Sequence, residues 1–329
     1  MHWWKLELDK ALELADETLA LAEKVKDPAM LLSGNLARGA TLFYLGKFVF
    51  ANEHLEKALT IFDLWQPLSE ELEFRRIASF GYLSLGLYAI GYPDQARAKS
   101  REMLTVAQRS SLPFVLANAY GHAAAHNLIT GNGAAAQRQN EESLALAQEM
   151  GIVSFLAVAT VRRGASLIAQ ERFEEGIASL REGITAILAT GGTPPALFWC
   201  FLASGLGRIG RPQEGLEVVE GGFASVAKTG EQNASPLLHD VKGELLLAQN
   251  SSDGAKAELC FRAAIEIARR QSARSAELRA TTSLARLLNE QGRRDEARAM
   301  LAEIYGWFTE GFDTADLKDA KALLDELSS

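Results

Sequence analysis

Apolar residues recur at helical spacing from one end of the chain to the other. Leu8, Leu12, Ala15, Leu19, Ala22 and Val25 line one face of a helix over 4–26, and Leu317, Ala320, Leu323, Leu324 and Leu327 do the same near 315–327. Between them the pattern breaks and restarts at regular intervals. One short turn recurs in YLGKFVFANEHLEKAL, AIGYPDQARAKSREML, ITGNGAAAQRQNEESL, AQERFEEGIASLREGI, RIGRPQEGLEVVEGGF and EQGRRDEARAMLAEIY. Its central residues are Gly46, Gly91, Gly131, Glu171, Gly210 and Gly292, and a degenerate copy places its turn at Ser252. Successive turns lie 45, 40, 40, 39, 42 and 40 residues apart. Periods in this range mark helical arrays, in which each unit buries its apolar face against its neighbours.

Small residues flank every turn. Five residues after it stand Ala51, Ala96, Ala136, Gly176, Gly215, Ala257 and Ala297. Seven residues before it stand Gly39, Ser84, Ala124, Gly164, Ala203 and Ala285, with Gly243 filling that role in the degenerate copy. Antiparallel helices joined by a short turn approach to about 8–10 Å only where the side chains at their crossing are small. This spacing resembles the tetratricopeptide repeat. The resemblance implies an all-α fold, a right-handed superhelix (α-solenoid) of about seven helix pairs with a period near 40 residues. The pairs fall at 29–45 with 48–64, 72–90 with 93–110, 114–130 with 133–150 and 153–170 with 173–189. The last three are 195–209 with 212–229, 235–249 with 254–271, and 275–291 with 294–306. Three regions follow: a partial repeat over 1–28 reading as a helix B without its helix A, the array over 29–306, and a C-terminal capping helix within 307–329. The open front edge, with Trp3 and Trp4, is offered as a surface for a homodimer.

The repeat reinterprets two phosphate-site patterns. Gly205, Gly207 and Gly210 spell G-x-G-x-x-G, but a dinucleotide fingerprint needs a strand before it, and TPPALFWCFLA runs at helical spacing. Gly210 is then an inter-helix turn. Gly222 to Thr229 reads G-x-x-x-x-A-K-T, one glycine short of a phosphate-binding loop, and falls inside a helix B.

Composition narrows the picture further. The net charge of −8 argues against general nucleic-acid binding, because a phosphate backbone repels an acidic chain. No window is long and apolar enough to span a membrane. Cys200 and Cys260 stand alone, without zinc-ligand spacing, and suit a reducing cytoplasm. No cofactor is signalled.

A closer resemblance rests on LSLGLYAIGYPDQA, HDVKGELLLAQ and, above all, YGWFTEGFDTADLKDAKALL. These are similar to the C-terminal helical-repeat region of bacterial multidomain signalling proteins that also carry an adenylate/guanylate cyclase domain and a P-loop ATPase. The likeness is strong over 235–327, looser over 5–234, and weakest around 62–76. Neither catalytic module is present, so only the role of a regulatory arm carries over. The expectation is a non-catalytic scaffold for a protein or peptide partner; the alternative is a small-molecule sensor.

Helix A of such repeats lines the concave side, where Phe43, Tyr88, Tyr120, His126, Phe155, Phe198 and Trp199 are candidate groove residues. His122 and His126, at i, i+4, could share a metal, but no third ligand accompanies them, so packing or hydrogen bonding is the expectation. Late in the chain Arg269, Arg270, Arg274, Arg279, Arg286, Arg293, Arg294 and Arg298 interleave with Glu266, Glu277, Glu290, Asp295 and Glu296. Surface ion pairs explain them most simply, an acidic partner less so.

Overall fold

The computed structural model describes residues 7–65, 69–110, 112–151 and 153–329; Trp3, Trp4 and the first residues of the 4–26 helix lie outside them. Sixteen α-helices and no strand occur among the described residues. A single helix, α1 (Leu8–Val25), precedes seven antiparallel pairs. These are α2 (Pro28–Tyr44) with α3 (Phe48–Trp65), α4 (Glu70–Ala89) with α5 (Pro93–Ala107), and α6 (Pro113–Ile129) with α7 (Gly133–Met150). Then come α8 (Val153–Ile168) with α9 (Phe173–Ala189), and α10 (Ala196–Arg208) with α11 (Pro212–Thr229). Finally, α12 (Ser235–Gln249) pairs with α13 (Gly254–Arg270) and α14 (Arg274–Glu290) with α15 (Arg294–Tyr305), before α16 (Ala315–Ser328). The chain is an α-solenoid.

The turns explain the period. Gly46, Gly91, Gly131, Gly210 and Gly292 all take positive φ, between 71° and 95°, and Glu171 takes 61°. In each, the next residue donates its N–H to the carbonyl five positions back at 2.8–3.0 Å, as in Lys47 to Leu42 and Arg293 to Leu288. That is the Schellman closure of a helix, which needs a left-handed residue. The degenerate copy uses a 3-10 turn over Ser251–Asp253 instead, where the Asn250 side chain accepts from Ser252 N–H at 3.0 Å. Gly205 and Gly207 lie inside α10, and Gly222 lies inside α11, so neither phosphate-site pattern follows a strand.

At the crossing of α8 and α9 the backbones nearly touch. A Cβ on Gly164 would stand 2.6 Å from the Leu180 nitrogen and 2.8 Å from the Gly176 carbonyl oxygen. The first helices of successive pairs pack on one another and form the inner layer, while the second helices cover them outside. Helix α1 packs on α2 as a second helix would, burying Leu8, Ala15 and Ala22. Val25, which the apolar spacing places on that face, is 54% exposed, as are Leu14 and Leu21 at about half. Helix α16 packs on both α14 and α15, in the place of a further inner helix, and buries Leu317, Ala320, Leu323 and Leu327.

The array also closes on itself. Tyr44 carbonyl oxygen, at the end of α2, accepts the N–H groups of Gln232 (2.7 Å) and Asn233 (3.1 Å), and Gln271 Nε2 donates to Gln232 oxygen at 2.8 Å. The Ser275 hydroxyl donates to the Tyr88 carbonyl. Glu310 Oε1 accepts from the Asp94 and Gln95 N–H groups at 2.9 and 3.1 Å, capping α5, and Asp94 accepts from Gly311 N–H at 3.0 Å. Arg97 pairs with Asp313 at 2.8 Å. Between these polar ties Phe48, Ala268 and Ala273 are buried together against Phe43, Ala89, Ile90 and Ala276. The accessible surface is 14,733 Å² for 35.7 kDa. A compact monomer of this mass exposes roughly 13,300 Å².

Candidate functional site

Closure brings the early and late pairs into contact, and the two ends of the inner face differ in chemistry. The end built by the early pairs is aromatic. Phe43 packs edge-on against Phe48, with centroids 5.4 Å apart, and lies 5.6 Å from Tyr82. Tyr44 and Tyr82 bring their hydroxyls to 3.4 Å. His122 meets the Tyr82 ring at 5.2 Å, edge to face. Arg162 of α8 faces these tyrosines and makes no ion pair among the described residues; burial lowers its pKa.

The two histidines are held neutral and apart in role. Burial pushes His122 down to about 3 and His126 to about 4, with Arg162 and Arg97 respectively adding to it. Ser84 Oγ donates to the Ala96 carbonyl at 3.0 Å and stands 2.9 Å from His126 Nδ1. Having given its proton to the carbonyl, the serine accepts from Nδ1–H, which fixes that tautomer. His122 Nδ1 is buried without a partner. Among the described residues no three His, Cys, Asp or Glu side chains gather at metal-binding spacing.

The other groove candidates are distributed rather than gathered. Tyr88 is buried, its hydroxyl donating to Asp316 Oδ2 at 2.9 Å. Phe198 is buried in the core with Val158 and Ile184. Trp199 packs its ring against Gly221, with Nε1 buried and unpartnered. Tyr120 is half-buried. Phe155 continues a row in which Phe74 stacks on Phe114 at 4.6 Å and Phe114 meets Phe155 at 5.2 Å.

The end built by the late pairs is charged. Glu244 of α12, Arg279, Thr282, Ser283 and Arg286 of α14, and Asp316 and Asp319 of α16 line a cavity of about 210 Å³. Arg279 pairs with Asp316 at 2.8 Å, and Arg286 pairs with Asp319. Asp316 Oδ2 therefore takes both Arg279 and Tyr88. Asp240, one helical turn before Glu244, is 2% exposed and its Oδ1 has no hydrogen-bond partner. Burial first, and then the charge of Glu244, raise its pKa; the neighbouring Ser283 hydroxyl and Arg279 pull the other way.

The remaining arginines mostly form ion pairs. Glu277, 2% exposed, takes Arg269 at 2.6 Å and Arg274 at 2.7 Å. Arg293 bridges Glu258 and Glu296 at 2.8 Å each, and Arg294 donates to the carbonyls that end α16. Repeat register is the signal that separates the groove residues from these. Arg279, Thr282 and Arg286 stand thirteen, ten and six residues before the turn at Gly292. Asp240 and Glu244 are obscured because their turn is displaced by about two residues.

No family model matches the chain, and no curated protein does. Solved structures do. A Rap protein complexed with competence and sporulation factor superposes with a TM-score of 0.64 at 13% identity, over 91% of this chain and 77% of its own. The Rap conjugation gene regulator of plasmid pLS20, in complex with the Phr* peptide, gives 0.61 at 12% identity, over 93% and 77%. A signal-transduction ATPase with a tetratricopeptide-repeat sensor, from Pyrococcus horikoshii, gives 0.50 at 15% identity, over 92% of this chain and 46% of its own. At these identities the likeness is one of fold: the chain is similar to tetratricopeptide-repeat superhelices in its architecture.

Proposed function

We propose that the chain is a non-catalytic, peptide-binding tetratricopeptide-like module, the regulatory arm of a larger signalling protein, with its ligand held on the inner face. The observation that carries this reading is unmatched charge at the two ends of the inner face. One end of that face presents Arg162 without a carboxylate, and the other presents Glu244 without a direct cation. A short segment carrying both charges complements such a face. The two Rap structures that share the fold are complexes, one with competence and sporulation factor and one with the Phr* peptide, which supports the same ligand class. The non-catalytic part rests on the polar side chains present. The Cys200 thiol is pushed far up by burial, and His126 is committed to Ser84.

An array of random decapeptides probed with the full chain tests this reading. A subset should bind with micromolar Kd, and binding should vanish in Arg279→Ala but persist in Glu266→Ala on the outer helix α13. Absence of any peptide binder, or equal loss in both variants, contradicts it. The second reading, a small-molecule sensor for an attached ATPase, draws on the small size of the late cavity. A thermal shift with metabolites but not with peptides would favour it.

A further inference from the structure

We propose that the aromatic end of the inner face is a carboxylate subsite, in which Arg162 takes the anion and the hydroxyl pair of Tyr44 and Tyr82 donates to it. This deepens the peptide-binding reading and rests on it for the source of the carboxylate.

The repeat register lines these groups up. Tyr82, His122 and Arg162 stand nine residues before the turns at Gly91, Gly131 and Glu171, on the successive inner helices α4, α6 and α8. Arg162 leans back over α6 at Gly121, where a Cβ would lie 2.4 Å from Nη1, so the missing side chain leaves the guanidinium its berth. The arginine is half-buried, yet it makes no hydrogen bond or ion pair among the described residues. Every other half-buried arginine among them holds a carboxylate, from Arg38 and Arg97 in the early pairs to Arg279 and Arg293 in the late ones. Burial lowers the Arg162 pKa, and the groups that act against that are the two tyrosines, not a carboxylate. Glu231 acts on Tyr44, but it is fully buried and accepts the Ala196 N–H at 3.0 Å. The tyrosines supply a further donor. Burial raises both phenol pKa values, so each keeps its proton. Their oxygens stand 3.4 Å apart, and one mutual bond uses only one of the two protons, leaving an O–H for an outside acceptor. His122, held neutral by burial, adds no charge. A single guanidinium matches one carboxylate in bidentate fashion, whereas it would leave a phosphate dianion half-neutralised.

Two probes carry the carboxylate from different sources: butyrate, a free acid, and the capped tripeptide acetyl-Ala-Glu-Ala-amide, with its glutamine counterpart as the uncharged control. Ligand-observed NMR titration of the full chain at physiological salt should show saturable binding of butyrate and of the glutamate peptide, and none of the glutamine peptide. The Arg162 Nε–H signal of the labelled chain, assigned by its loss in Arg162→Gln, should move with the same two probes. Arg162→Gln should weaken both by at least about tenfold. Tyr44→Phe/Tyr82→Phe, which removes the hydroxyls and leaves the rings packed, should weaken both by about fivefold. Unsaturable binding, or binding unchanged in both variants, overturns the proposal. Peptides that bind the array with no preference for Glu over Gln, alongside silent butyrate, also overturn it while the groove reading stands. Butyrate binding with no peptide binder leaves the carboxylate subsite intact and removes the groove reading.

Discussion

The second and seventh helix pairs build their inner faces from the same three positions. Thirteen, ten and six residues before the turn, α4 carries Ala78, Gly81 and Leu85, whereas α14 carries Arg279, Thr282 and Arg286. Backbone geometry is common to both, since each turn closes with the same left-handed residue and the same hydrogen bond. The repeat thus fixes where side chains stand, and the residues at a few inner positions decide what that face can bind. The two ends differ again where they meet. One part of the seam is apolar, around Phe48, and the other is a set of charged ties around Asp316 and Asp94.

The largest effect should come from breaking the apolar seam. Phe48→Ala removes a ring that is 3% exposed and should cost about 3–5 kcal/mol in urea unfolding. Salt should leave that loss unchanged. Next comes pH. Glu231 is fully buried in the loop that docks on Tyr44; it accepts Ala196 N–H at 3.0 Å, and burial raises its pKa to about 7. Its folded pKa exceeds its unfolded value near 4.5, so the folded state holds the proton more tightly. Stability should therefore be greatest below about pH 4.5 with respect to this group, and fall as pH rises to about 7. Glu231→Gln should remove that slope and, at pH 8, gain roughly 3 kcal/mol over the parent chain. A melting series across pH, on both chains, checks it. Asp240 acts in the same direction.

Breaking the charged ties should cost less. Asp316→Ala leaves Arg279 and Tyr88 without their shared acceptor and should lose about 2 kcal/mol, an effect that shrinks at high salt. The contrast in salt response between this variant and Phe48→Ala sharpens the distinction between the two parts of the seam. The smallest effect sits at a turn. Glu171 holds a left-handed conformation that its five counterparts reach with glycine, so Glu171→Gly should stabilise by about 0.5–1 kcal/mol in the same denaturation assay.

Most of the helical architecture is legible in the sequence because the repeat writes it seven times. The inner-turn glycines, the small residues at each crossing and the apolar stripe of α16 all carry local signals. The closure is not legible. Its key acceptors are the carbonyls of Tyr44 and Tyr88, which any residue would supply, and the Ser275 hydroxyl that reaches Tyr88 lies 187 positions away. The aromatic candidates were visible as residue types, but composition does not say which are packed; Tyr88 and Phe198 are buried, while Phe155 and Tyr120 are partly open. In the arginine run, residue type does not separate Arg279 and Arg286, which face the cavity, from Arg269 and Arg293, which serve ion pairs elsewhere; only their register against the turn at Gly292 does. Asp240 escapes notice because a lone aspartate in an apolar helix has no motif.

Small-angle X-ray scattering on the monomeric fraction of the full chain tests closure most directly. A closed array should give a radius of gyration near the roughly 20 Å of a compact chain of this length, and Phe48→Ala should enlarge it. A parent chain that already scatters as an elongated, open superhelix, with no change on Phe48→Ala, would contradict the closure on which the proposed binding surface depends.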